Sequence, residues 1–339
     1  MSQWITIPFP VQILLEASLI VLVTGFNPVQ HTRVLNHSFR REWFQRWGKN
    51  IFLAALYVAW VGYKVPGVVF AAIKKWSSPE NFFHMPIVKQ LPFYGLVILY
   101  LSLGAFFVWP ALRSYVMPKV HLDPQLYTHR VAVWWMFSCL IDFISTKSLQ
   151  PPMTITDFWD FMTHHQVILF SKLSYVLLAI LAVGGGSTRN GRETLIRLGL
   201  HRQPTKKGIL WVALFKGVCV GFMLTIAHFF LETGESGFFP LPPLGWSTLI
   251  LLAIAPAIGE ELFFRGAFQP RVGIWITSIL FTMAHSHYGW YGLLGVFLNS
   301  LLYGWAASRY SIWLSIGLHA LHNFVANTVV AMGLMGKIW

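Results

Sequence analysis

Runs of about 18 to 25 residues almost free of charge recur along this chain, the length a helix needs to cross a bilayer's hydrocarbon core. Only 11% of the 339 residues are charged and 55% are apolar. A soluble domain carries about twice that charged share. Sixteen Trp and eleven Tyr suit a protein with two water–lipid interfaces to anchor. The chain reads as all-α, a polytopic transmembrane helical bundle of about 8–10 spans. Candidate spans lie at 7–26, 51–73, 92–112, 130–146, 166–184, 208–231, 245–265, 272–289, 291–308 and 311–334.

The formal charge of +13 raises nucleic acid as a partner. The plainer cause is Lys and Arg gathered in cytosolic loops. With the N-terminus outside, seventeen Lys and Arg fall on the inside segments and five on the outside. Cys139 and Cys219 both lie in apolar runs, so neither a disulfide framework nor a zinc cluster is expected. The first 26 residues lack a basic leading region and a small-residue cleavage site, and read as a retained first helix. The glycine-rich, basic stretch from 184 to 207 divides the chain. Residues 1–206 form an N-terminal membrane region of about five spans with no recognisable chemistry. Residues 207–339 form a second membrane region, which holds nearly all the intramembrane polar groups that look organised.

That second region contains "GEELFFRGAF", residues 259 to 268, at the end of a long apolar run. A charged side chain at mid-bilayer costs roughly 2.5 to 3.5 kcal/mol on insertion scales and generally marks function. Glu260 and Glu261 are about 100° apart around a helix and so have different tasks. Glu261 and Arg265 stand four apart, carboxylate first, the favourable order for an ion pair on one face. Glu260 has no partner in its own helix and must find one elsewhere, become protonated or face a wet cavity.

The next span carries "FTMAHSHYG", with Phe281 and His285 on one stripe, and the last carries "HALHNFVAN", with His319 and Asn323 on one face. His322 is three residues from His319 and in register to join them. A lone histidine in an apolar helix is ordinarily a hydrogen-bonded packing residue, but three successive helices bearing such groups are not. Glu16, Lys64, Asp142, Lys172 and Lys216 are isolated along the sequence. They read mostly as structural charges, with long lysines near helix ends snorkelling to the interface.

A glutamate, two histidines and an asparagine around one cavity can cut a peptide bond without a covalent intermediate. The carboxylate takes a proton from water, and imidazole and carboxamide N–H groups stabilise the oxyanion. Glu260, His285 and His319 could instead ligate Zn2+. No HExxH is present, so the metal-free route, with no cofactor, is favoured.

"EELFFR" fits EExxxR, "FTMAH" fits FxxxH and "HALHN" fits HxxxN, in that order across neighbouring spans. The chain thereby resembles the CPBP family, the CAAX-protease and bacteriocin-processing (Abi) enzymes, which includes the type II CAAX prenyl endopeptidases. The resemblance covers roughly 208–334. It implies an intramembrane glutamic protease, with Glu260 as general base and His285 helping to activate water. His319 and Asn323 would form the oxyanion hole, with Glu261 and Arg265 in support. One difficulty stands: straight parallel helices would not bring Glu260 and His285 to one depth, so a tilt, a break or a shifted boundary is required.

The expected function is an endopeptidase cutting near the C-terminus of a membrane-associated or lipidated peptide or protein. Its partners are that substrate and the lipid bilayer, not nucleic acid. A KDEL-type retrieval signal is not apparent, which favours a bacterial inner membrane over the endoplasmic reticulum. Two alternatives remain open: a proton-coupled transporter, which would show paired inverted repeats, and a non-catalytic immunity or scaffold protein.

Overall fold

The computed structural model describes residues 90, 93–99, 102, 110–149, 167–185, 189–231 and 245–331. Those up to 149 fall in one compact unit and those from 167 onward in a second. The described residues are mostly helical, with no strand beyond an isolated bridge between Gly185 and Arg189. In the first unit, helix α1 (Pro110–Val116) tightens into a 3₁₀ turn, Met117–Val120. His121, in the left-handed conformation at φ 57°, closes that turn. Helix α2 (Tyr127–Leu149) follows.

The second unit contains α3 (Val167–Ala182), α4 (Gly191–Arg197), α5 (Lys206–Leu231) and α6 (Trp246–Glu260). A wide π-helical stretch, Glu261–Phe268, leads into α7 (Gln269–Met283). Helices α8 (Trp290–Arg309) and α9 (Ile312–Ala331) complete it. These helices follow the expected apolar runs from 166 onward, while the runs at 7–26 and 51–73 lie outside the described residues. Within the connector, "NGRE" forms a short helix. The Asn190 side chain accepts from the Glu193 N–H and Glu193 accepts from the Asn190 N–H, both at 2.9 Å, a reciprocal cap worth about 1 kcal/mol.

Among the described residues, two stretches are long and apolar enough to cross a membrane, Lys206–Ile226 and Trp246–Met283. Along α5, Ile209, Leu210, Leu214, Val218, Phe222 and Leu224 are all exposed. A helix that is apolar on every side and packed on few of them needs an apolar surrounding. Both features are consistent with a membrane protein.

Helix α6 packs between α9 and α3, α7 packs on α8, and α8 bridges to α9 and α5. The unit that holds the candidate site therefore begins upstream of the expected division at 206, because α3 is one of its walls.

The depth difficulty is resolved at Gly273. Twenty-five residues of straight helix would separate Glu260 from His285 by about 38 Å, yet Glu260 Oε2 and His285 Nε2 are 3.8 Å apart. The rings of Phe264 and Phe281 are 5.0 Å apart, centroid to centroid. The chain thus doubles back between them, and Gly273 stands there at φ 83°, ψ 169°. Side-chain-bearing residues avoid that conformation. Nothing lies within 4 Å of where a Cβ would project from Gly273, so the constraint is in the backbone alone. Gly273→Ala is expected to destabilise the protein by about 1–3 kcal/mol, read as a lowered thermal midpoint in detergent.

Candidate active site

Glu261 begins the π-helical stretch at zero exposure, and such a charge survives only with full compensation. It has that compensation. Arg265 Nε donates to Glu261 Oε2 at 3.2 Å, and the Ser315 hydroxyl donates to the same oxygen at 2.6 Å. His319 Nδ1 lies 2.9 Å from Oε1. The expected pairing of Glu261 with Arg265 is therefore present, and larger than the sequence indicated. The Arg265 guanidinium also donates to Ser300 Oγ at 2.7 Å and to Gln269 Oε1 at 3.3 Å. Gln269 in turn donates to the Gly304 carbonyl at 2.8 Å and to Ser308 Oγ at 2.6 Å. One continuous polar chain thus ties the π-helical stretch to α8 and α9. Along the π stretch the backbone ladder spans five residues, the Gln269 N–H reaching the Phe264 carbonyl. Such wide turns occur frequently at functional sites.

Glu260 points another way. Its Oε1 accepts the Lys172 ammonium from α3, so the carboxylate has a partner from a different helix. Lys172 is thus not a snorkelling surface charge. It lies mid-helix, with 22% of its side chain exposed. The approach of α3 depends on Gly259, where a Cβ would stand 2.5 Å from the Lys172 carbonyl oxygen. Tyr175, one turn beyond Lys172, packs its ring 5.3 Å from that of Phe263.

The other oxygen, Glu260 Oε2, is buried and accepts no hydrogen bond from any described residue. Two imidazoles face it, His285 Nε2 at 3.8 Å and His319 Nε2 at 4.0 Å. Their orientation is fixed from behind. His285 Nδ1 lies 2.7 Å from the Phe281 carbonyl, which can only accept, so this nitrogen carries the proton and neutral His285 presents a lone pair at Nε2. His319 Nδ1 likewise faces the ionised Glu261. Aromatic rings clamp both imidazoles: Phe281 on His285 at 4.6 Å and Tyr303 on His319 at 4.8 Å.

Asn323 stands one turn beyond His319 on the same face of α9 and is half-buried. It is not among the hydrogen-bond or ion-pair partners of Glu260. His322 does not join the site. It faces Lys216 Nζ at 3.0 Å, and that ammonium also donates to Asn299 Oδ1. Lys216, like Lys172, is held by neighbouring helices. The side chains invisible to sequence reasoning are thus Lys172, Ser300, Gln269 and Ser315; for Lys172 the available signal was a lysine in mid-run rather than at its end.

In tautomer and donor type, Glu260, His285 and His319 resemble a zinc set whose imidazoles are oriented from behind. The spacing fits less well. Ligands about 2.0 Å from a tetrahedral zinc lie about 3.3 Å from one another, against the 3.8 and 4.0 Å found here. Among the described residues no group of three His, Cys, Asp or Glu is close enough to hold a metal ion. The Lys172 ammonium already supplies Glu260 with positive charge.

Residues 242–325 match the family described as type II CAAX prenyl endopeptidase Rce1-like. This segment is CAAX-protease-like. The three motif-bearing stretches that converge on Glu260 all lie inside it, whereas Lys172 lies outside. A stretch of 68 residues is 32% identical to an uncharacterized protein, YpbD, of Bacillus subtilis (strain 168), covering 18% of this chain and 36% of that one. The chain thus spans about a third of the length of that curated relative. No solved structure gives a significant match.

Glu261→Gln leaves Arg265 buried beside a neutral partner. It is expected to cost about 3–5 kcal/mol, measured as a fall in thermal midpoint and in the yield of folded protein in detergent.

Proposed function

We propose that the protein is an intramembrane endopeptidase that hydrolyses a peptide bond near the C-terminus of a membrane-associated or lipidated substrate. The observation that carries this reading is Glu260 Oε2, a buried acceptor without a hydrogen-bond partner among the described residues, faced by two oriented imidazoles at 3.8 and 4.0 Å. Gaps of that size between polar atoms suit a shared water.

The chemistry follows from the donors. Lys172 holds Oε1 and offsets the carboxylate's charge, which leaves Oε2 to take a proton from the water. The His285 Nε2 lone pair accepts the water's second hydrogen and aims its oxygen at the scissile carbonyl carbon. As the C–O bond forms, negative charge gathers on the carbonyl oxygen. His319, its Nδ1 held by Glu261, turns its Nε2 toward this oxygen, and Asn323 donates from its carboxamide. Collapse of the tetrahedral intermediate breaks the C–N bond, and the departing amine takes the proton held by Glu260. No metal takes part in this route. The similarity to a Bacillus protein supports a bacterial cell membrane as the location.

Glu260→Gln is expected to insert and fold but to lose cleavage of a C-terminally tagged substrate by a factor of about 10² or more. Wild-type cleavage persisting after chelation, with no bound zinc by elemental assay, supports the metal-free route. A wild-type rate in Glu260→Gln would remove the base assignment. Lys172→Met should lower kcat with little change in KM, and Lys172→Arg should restore part of it, since either cation can hold Oε1. Steady-state kinetics on the three proteins checks this.

A further inference from the structure

The buried Arg265–Gln269 chain also lies beside a second cavity, away from Glu260. Both residues border a cavity of about 320 Å³, whose other polar lining residues are Arg197, His201, Arg202 and Ser308. No carboxylate lines this cavity. Arg265 is already neutralised by Glu261, but Arg197 and Arg202 form no ion pair with any described residue. Glu193, four residues before Arg197 and in register to pair with it, is turned back to cap its own helix. Arg197 is held in place by donation to the Gly266 carbonyl at 3.1 Å. Burial, and then the like charges of Arg271 and Arg189, lower the Arg197 pKa. Cations are thus gathered around a cavity with no resident counter-charge.

The rim is of a different character. Ile196 of α4 lines it and is exposed, and Leu195 and Trp313, the sequence neighbours of the lining residues Ile196 and Ile312, are exposed as well. The Trp313 ring is fixed by Nε1 donation to the Leu200 carbonyl at 2.9 Å. An apolar rim around a cationic cavity is the arrangement of a surface lying at the headgroup level of a bilayer. Arginine forks match phosphate oxygens in geometry as well as charge.

We propose that this cavity binds a net-anionic phosphate group, held by Arg197, Arg202 and His201, from an anionic lipid headgroup or from free phosphate. The apolar rim favours the lipid source. An occupant would lie next to Arg265, which pairs with Glu261, and Gln269, which bonds Arg265, so the site adjoins the polar chain without sharing Glu260.

The test uses the full chain purified in detergent. It is titrated with short-chain phosphatidylglycerol, short-chain phosphatidylcholine and inorganic phosphate, with retention read by native mass spectrometry and by thermal midpoint. The variants are Arg197→Gln, which also loses the Gly266 contact, and the double variant His201→Gln/Arg202→Gln. In the double variant the Arg202 carbonyl that accepts the Ser311 hydroxyl is retained, so the unliganded midpoint should stay at the wild-type value. Phosphatidylglycerol is expected to bind at least tenfold tighter than phosphatidylcholine, and both variants to weaken it about tenfold or more. Stabilisation by inorganic phosphate alone, lost in the same variants, also supports the site and assigns it to the free anion. Equal retention of the two lipids without any effect of phosphate, or binding that neither variant changes, overturns the proposal. None of these readouts depends on peptide cleavage.

Discussion

The buried ion pair of Glu261 and Arg265 is the constraint on which the site depends. Neither side chain has any exposed surface, and the fold had to surround both with hydrogen-bonding groups or leave a charge unpaired in an apolar interior. Ser315 and His319 arrive from α9, Ser300 from α8 and Gln269 from the following turn. The same bonds that satisfy the pair therefore dock three helices in one register. They also turn the His319 ring so that its far nitrogen faces Glu260.

Two adjacent glutamates thus come to have different partners through their directions alone. Glu261 is enclosed by donors that reach both of its oxygens. Glu260 has one oxygen held by Lys172 and the other directed at the imidazoles. The reversal at Gly273 is what allows His285, distant in sequence, to share that space. The backbone conformation of a single residue replaces a long helix by a hairpin of two.

Much of this was legible in the sequence because it is local. The Glu261–Arg265 pair follows from four-residue spacing, the Phe281–His285 stack follows from the same period, and the short motifs mark three of the last four helices. The apolar runs gave helix positions within a few residues from 166 onward. What stayed hidden was non-local. Lys172 reaches Glu260 across 88 positions, and no periodicity relates the two, so the lysine read as an isolated charge. Ser300, Gln269 and Ser315 are ordinary polar residues in apolar helices, and only the direction of the Arg265 fork selects them. The doubling back was required by the depth mismatch, but its position at Gly273 was not, since glycines are common along the chain.

Lys172 belongs to α3, upstream of the segment that resembles the CAAX proteases. The segment that bears the family likeness is therefore not a self-sufficient module. Excised on its own, it would carry Glu260 without its counter-ion and with the face around Gly259 uncovered. Any minimal fragment, graft or chimera that aims to retain the Lys172–Glu260 pair has to include α3.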